Sequence, residues 1–219
     1  MADRHLATAA TIQACGTGDY SMVGTSGELS SPFYTNRTDP WIVGDQFVIR
    51  RTIELLRQCF ADVVVVSNQL EKFRDYDIVV TADEFPGCGP LAGIHAAMGI
   101  VSQPYVFVIA CDMPFVQGPV IEYLVRRLTE QDALIPCWED DIEPLHGLYA
   151  TRLRPQIEDA LRGGVTAIRS FLPTIRTEFV TESEMQGVPG AYESFLNINT
   201  PEDAAKFDLR LGAVLDERR

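Results

Sequence analysis

A chain of 219 residues, 46% hydrophobic and 22% charged, has the composition of a globular protein with a substantial core. Its formal net charge of −13 argues against nucleic acid or an acidic membrane as a partner, yet leaves room for one phosphate held by local donors. No apolar run reaches the ~20 residues that span a bilayer, and the start, MADRHLATAA, lacks a long apolar signal stretch. A cytoplasmic protein forming one domain over 1–219 is the expectation.

In chain order, apolar runs at 7–14, 63–67, 78–81, 106–110 and 133–136 alternate with helical patterns at 48–60, 90–101 and 119–130. Within the first helix Ile49, Ile53, Leu56 and Phe60 share one face, at steps of four, three and four. Such alternation predicts a mostly parallel sheet covered on both sides. Its ligand crevice should lie at the carboxyl ends of the strands, where the loops after Ala14, Ser67 and Ala110 open. Further on, 143–150 reads as a short strand and 152–162 as a helix stopped by Gly163-Gly164. A short helix at 166–172, a strand at 175–180 and a polar loop at 181–192 follow. Thr200-Pro201-Glu202-Asp203 starts a last helix, with a cap, a first-turn proline and acids at the positive end of the dipole.

Three segments carry polar residues suited to chemistry. In VIACDMPF, residues 108–115, a buried strand ends and Asp112 stands just beyond it, before Pro114 turns the chain away. A carboxylate there suits Mg²⁺, a hard ion that shares oxygen ligands with nucleotide phosphates; the alternative is an Asp that caps the turn. In PGCGPLAGIHAAM, residues 86–98, the glycines permit close backbone approach, and the helix beginning near Pro90 aims free N–H groups at the crevice. Asp83, just upstream, could accept from a base or a ribose, or be a surface acid. In FLNINTPED, residues 195–203, Asn197 and Asn199 alternate along one strand face, either for a ligand or for their own loop. Five cysteines, at 15, 59, 88, 111 and 137, form no C-x-x-C pair, which argues against a zinc site. His146 reads as a structural histidine on an apolar strand.

Six segments together resemble the molybdenum cofactor guanylyltransferase family: VVSN at 65–68, Asp83, GPLAGI at 89–94, ACDMPF at 110–115, PLHGLY at 144–149 and NINTPED at 197–203. They stand in the family's order. The resemblance implies a three-layer, Rossmann-like nucleotidyltransferase fold with a mostly parallel central sheet. It implies transfer of GMP from Mg-GTP to the phosphate of molybdopterin or molybdenum cofactor, with release of pyrophosphate. GTP and molybdopterin cofactor would be the ligands, Mg²⁺ the cofactor, and molybdoenzyme-maturation proteins candidate partners. By position Asp112 would be the metal ligand and catalytic carboxylate. Ala14, Gly16, Gly18, Asn68, Asp83, Gly89, Pro90 and Leu91 would line the nucleotide, and Asn197 and Asn199 would lie near the second substrate or the metal. Arg169 is the nearest match to an arginine that meets the pterin phosphate, with a surface arginine as the alternative.

The family's phosphate loop, L-A-G-G-x-x-x-R-M-G followed by Lys, is altered in this chain. Residues 13–24 read QACGTGDYSMVG: Gly16, Gly18, Met22 and Gly24 echo it, but Thr17 breaks the double glycine and no arginine precedes Met22. Arg37, seven residues before Gly44, stands about where the family's Lys would and is the candidate substitute, although a planar fork and a compact ammonium contact phosphate differently. The altered loop leaves two alternatives open: transfer from another nucleotide such as CTP, or nucleotide and cofactor binding without turnover.

Overall fold

The computed structural model describes residues 8–13, 41–43, 46–68, 70–198, 201–207 and 210–211. Its centre is a sheet built on β1 (Thr8–Gln13), β4 (Val63–Val66), β5 (Val79–Thr81) and β6 (Tyr105–Ala110). These four lie parallel in the order β5-β4-β1-β6, with Ile12 facing Val65 on one side and Ile109 on the other. Beyond β6 the sheet continues through β9 (His146–Ala150), β7 (Ala133–Trp138) and β10 (Thr177–Thr181). A second, three-stranded sheet joins β2 (Trp41–Val43), β3 (Gln46–Phe47) and β11 (Arg210–Leu211).

The period of two along β6 builds the three layers. Phe107 and Ile109 enter one apolar cluster with Ile49, Ile53 and Leu56 of α1 (Val48–Cys59) and Val120, Ile121 and Leu124 of α3 (Gly118–Arg127). Val106 and Val108 enter the other, with Leu91, Ile94 and Met98 of α2 (Gly89–Met98) and Ile157 and Leu161 of α4 (Arg154–Arg162). The side chains of β6 are buried on both faces, and each full burial of such a side chain stabilises by about 1.5–3 kcal/mol. Short α5 (Ile168–Phe171) adds Ile168 and Phe171 to the second cluster. Among the described residues no helix is long and apolar enough to cross a membrane.

The expected alternation, the three layers and the mostly parallel sheet are present. Two features depart from the sequence reading. The strand within 143–150 is β9, and it runs antiparallel to both β6 and β7, with Val108 opposite Gly147 and Ala133 opposite Tyr149. Residue 147 has no side chain, and a Cβ there would stand 2.6 Å from Ile135 Cδ1 and 3.1 Å from the Leu134 carbonyl, so its neighbours would have to shift. The chain reverses into β9 through a tight hairpin from β7 to β8 (Asp141–Ile142), whose turn residues Glu139 and Asp140 both have positive φ, 49° and 64°. Two left-handed residues match the strand twist, a role usually signalled by Asn-Gly rather than by two acids.

The second departure is at 181–192, expected as a loop. It holds α6 (Glu182–Met185), and α7 (Ala191–Ser194) overlaps its end. A capping box starts α6: Glu184 accepts from the Thr181 N–H at 2.9 Å, and the Thr181 side chain caps the third helical residue in return. The Thr-x-x-Glu spacing was the available signal. The last helix is α8 (Pro201–Lys206), while its expected Thr200 cap lies outside the described residues.

Candidate active site

The parallel strands set their carboxyl ends on one edge, so the segments after β4, β5 and β6 meet there. At the centre, β6 delivers Asp112. The Asp112 carbonyl accepts the Ile198 N–H at 2.9 Å, which draws the 195–198 segment alongside. Asn197 is thereby brought next to the aspartate. Asp112 Oδ1 and Asn197 Oδ1 are both buried and without a hydrogen-bond partner. Buried polar atoms are nearly always paired, so two orphaned oxygens on adjoining segments call for an outside partner. Burial pushes the Asp112 carboxyl above the usual carboxylate range.

Glu143, just before β9, joins this group. Its carboxyl is pushed up to about 7, first by burial and then by the negative charges of Asp141 and Asp112, against the lowering effect of Arg169 and of an Asn197 hydrogen bond. Among the described residues no three His, Cys, Asp or Glu side chains form a metal cage. A hard divalent ion is commonly held by one or two carboxylates, with water and substrate phosphate completing its shell. The oxygen-only donors at Asp112 and Asn197 fit such an ion.

On the β4–β5 flank, Asn68 Oδ1 accepts the Asp83 N–H at 3.0 Å, and Asp83 Oδ1 accepts the Phe85 N–H at 2.7 Å. The two residues singled out in the sequence are thus brought together. Each spends one oxygen on the loop that they share. Burial raises the Asp83 carboxyl, with the Phe85 bond acting the other way. The loop is seated by Phe85, whose ring meets the edge of buried His95 at 5.2 Å. It then turns through Gly87 and Gly89, at φ 80° and 72°, into α2. Pro90 occupies the first turn and no side chain caps it, so the main-chain N–H groups there remain for a ligand. Leu91 is wholly buried, which leaves only its main chain to meet one.

On the other flank a cavity of about 330 Å³ opens between the β7–β8 hairpin and α7, lined by Trp138, Glu139, Asp141, Glu143, Tyr192, Phe195, Leu196 and Asn197. Trp138 stacks on Phe195 at 4.9 Å, and Phe195 leans on His146 at 4.7 Å. His146 is fully buried, within 3.4 Å of Ser194 Oγ, and held down to about 3 by burial. Its ring packs on Phe107 and Phe195, and its Nδ1 is buried without a hydrogen-bond partner. Arg169 is tied to the hairpin, 2.7 Å from Asp141 and donating to the Ile142 carbonyl at 2.9 Å. Ala14, Gly16, Gly18, Arg37 and Asn199 lie outside the described residues. Glu143, Trp138, Tyr192 and Phe195 were not singled out in the sequence. Only the Glu-Pro step before HGLY, an acid inside an apolar segment, hinted at Glu143.

A three-layer α/β sheet with an acid at the end of its central strand, a glycine loop on one flank and a cavity on the other suits a nucleotidyltransferase, and similarity to known proteins makes the protein an enzyme of that class. Residues 41–177 match the model of the MobA-like NTP transferase domain. The chain is 35% identical to a molybdenum cofactor guanylyltransferase of Syntrophotalea carbinolica, over 70% of this chain and 74% of that one. It is 30% identical to a probable molybdenum cofactor guanylyltransferase of Pelotomaculum thermopropionicum, over 75% and 80%. The crystal structure of molybdopterin-guanine dinucleotide biosynthesis protein A from Archaeoglobus fulgidus superposes with a TM-score of 0.72 at 27% identity, covering 90% of this chain and 95% of that one. The chain belongs to the molybdenum cofactor guanylyltransferase family.

Proposed function

We propose that the protein transfers GMP from Mg-GTP to the terminal phosphate of molybdopterin cofactor and releases pyrophosphate. The observation that carries this reading is the pair of orphaned oxygens on Asp112 and Asn197, set between a nucleotide-side loop and a separate cavity. An acceptor phosphate oxygen attacks the α-phosphorus of GTP, a P–O bond forms, and the bond to the β-phosphate breaks with its electron pair leaving on pyrophosphate. The attacking group is already an anion, so no strong base is required. The chain's task is to hold two anions together and to stabilise the charge that grows on them.

In this reading Asp112 holds Mg²⁺, with Asn197 beside it, and the ion supplies neutralisation of the phosphates. Asn68, Asp83, Gly89, Pro90 and the main chain of Leu91 receive the guanine nucleotide. The resemblance in sequence assigns Ala14, Gly16 and Gly18 to the phosphate loop, Arg37 to its cation and Asn199 to the acceptor side. The test is purified protein with GTP, Mg²⁺ and molybdenum cofactor, scored for the dinucleotide and for pyrophosphate. Neither product, beside a competent control enzyme, sinks the proposal. A rise in melting temperature with CTP but not with GTP would replace the nucleotide.

A further inference from the structure

We infer that the cavity between the β7–β8 hairpin and α7 receives the bicyclic ring of the acceptor: Glu143 reads its 2-amino-4-oxo edge, and Trp138, Phe195 and Tyr192 hold its faces. The inference rests on the proposed acceptor being a pterin phosphate, and it adds the residues that recognise the ring.

The cavity, about 330 Å³, lies within the range of small-molecule pockets. Its walls combine three aromatic side chains with three acids. The Trp138–Phe195 pair is stacked at 4.9 Å and 23°, and buried His146 backs Phe195, so this wall is set before a ligand arrives. Tyr192, 55% exposed, is a large aromatic left at the mouth. Flat apolar walls suit a flat heterocycle, which offers an aromatic face to stack on.

The acids select what that heterocycle must present. A carboxylate oxygen accepts, so the acids lining the cavity favour N–H donors, and Asp141, held below the usual carboxylate range by its Arg169 hydrogen bond, repels a phosphate. Arg169, the nearby cation, is engaged by Asp141 and the Ile142 carbonyl. Asn197 lines the cavity beside Glu143, and its Oδ1 is buried without a hydrogen-bond partner. A 2-amino-4-oxo-pyrimidine ring carries two adjacent N–H donors spaced for the two oxygens of one carboxylate. Guanine and pterins share that edge.

Position separates the two sources. Asp112 follows β6; Asn68, Asp83 and the start of α2 lie on the β4–β5 side, whereas Trp138 ends β7 and Glu143 precedes β9 on the opposite side. Guanine on the first flank and pterin on the second let the two phosphate groups meet over Asp112.

The test is binding of 6-hydroxymethylpterin to the full chain, read by quenching of the pterin's own emission, with GDP as competitor. Stacking on Trp138 should quench saturably. Glu143→Gln should weaken binding by about tenfold or more, as expected for losing a hydrogen bond to a charged group, and leave the GTP-induced melting shift intact. Trp138→Leu should remove the quenching. Wild-type protein without saturable quenching up to millimolar pterin, equal affinity in Glu143→Gln, or displacement by GDP overturns the inference; displacement would assign the cavity to guanine. Should Glu143→Gln not fold, Tyr192→Ala, at the exposed mouth, carries the same comparison. The assay needs no turnover, so retained pterin binding without guanylyl transfer would sink the proposed reaction alone.

Discussion

Asp112→Ala should make the metal-free protein more stable and the enzyme nearly inactive. In the free chain Asp112 Oδ1 is buried with no partner. Leaving such a group unpaired costs about 1–3 kcal/mol, and its removal returns that cost. For a domain of this size each kcal/mol moves the melting temperature by roughly 2–4 °C. The sign with pH is also fixed. Burial raises the folded pKa of Asp112 above its ordinary value, so folding favours the protonated acid, and stability is lost as pH rises through the folded pKa. The gain from Asp112→Ala should therefore grow as pH rises above the ordinary carboxylate range and shrink as pH falls toward 4. Turnover should drop by about 10²–10³-fold, the loss of one preorganised charge contact. Calorimetry with chelator, repeated with added Mg²⁺, measures the first effect: Mg²⁺ should raise the wild-type midpoint and leave Asp112→Ala unmoved. A variant less stable than wild type without metal, or one still stabilised by Mg²⁺, refutes the assignment.

Three further outcomes follow from the fold. Gly147→Ala places a Cβ 2.6 Å from Ile135 Cδ1, an overpacking cost of about 1–3 kcal/mol, visible in urea melts and relieved by a second change, Ile135→Val. His146 is held down to about 3 in the folded chain against 6.5 when free, so its stability contribution is full above pH 6.5 and is lost as pH falls toward 3. The slope is at most about 1.4 kcal/mol per pH unit, and His146→Leu should flatten the urea midpoint between pH 6.5 and 4.5; an unchanged slope counts against the buried neutral imidazole. Thr181→Ala breaks the capping box of α6 and should cost about 1 kcal/mol of stability, with GTP binding unaltered.

Much of the scaffold is legible in the residues themselves. The Val and Ile runs of β4 and β6 can be buried only between two helical layers, and the spacing of Ile49, Ile53 and Leu56 fixes which face of α1 points inward. The direction of β9 is not legible, because an apolar run carries no sign. That direction depends on the left-handed turn at Glu139 and Asp140 and on the space that Gly147 leaves beside Ile135. Asp112 could be found from its place after a buried strand. Its meeting with Asn197 is implied only by the family resemblance; the residues alone do not show it, since it depends on a main-chain bond between distant segments. Trp138 and Phe195 have the look of ordinary core aromatics and become a cavity wall only once the hairpin and α7 face each other. Leu91 shows the reverse: it belongs to a motif, yet its side chain serves the core.

The Ile198 N–H to Asp112 carbonyl bond ties Asp112 to a late part of the chain. The sheet from β1 to β10 is complete before α7, so 191–198 closes the site without building the sheet. Buried Ala191, Ser194, Phe195 and Ile198, not strand pairing, hold this segment in place. During synthesis the strands of the sheet emerge before Asn197, so on the proposed reading competence arrives last. On the proposed reading a chain clipped in its final segment lacks the meeting of Asn197 with Asp112 and should not turn over.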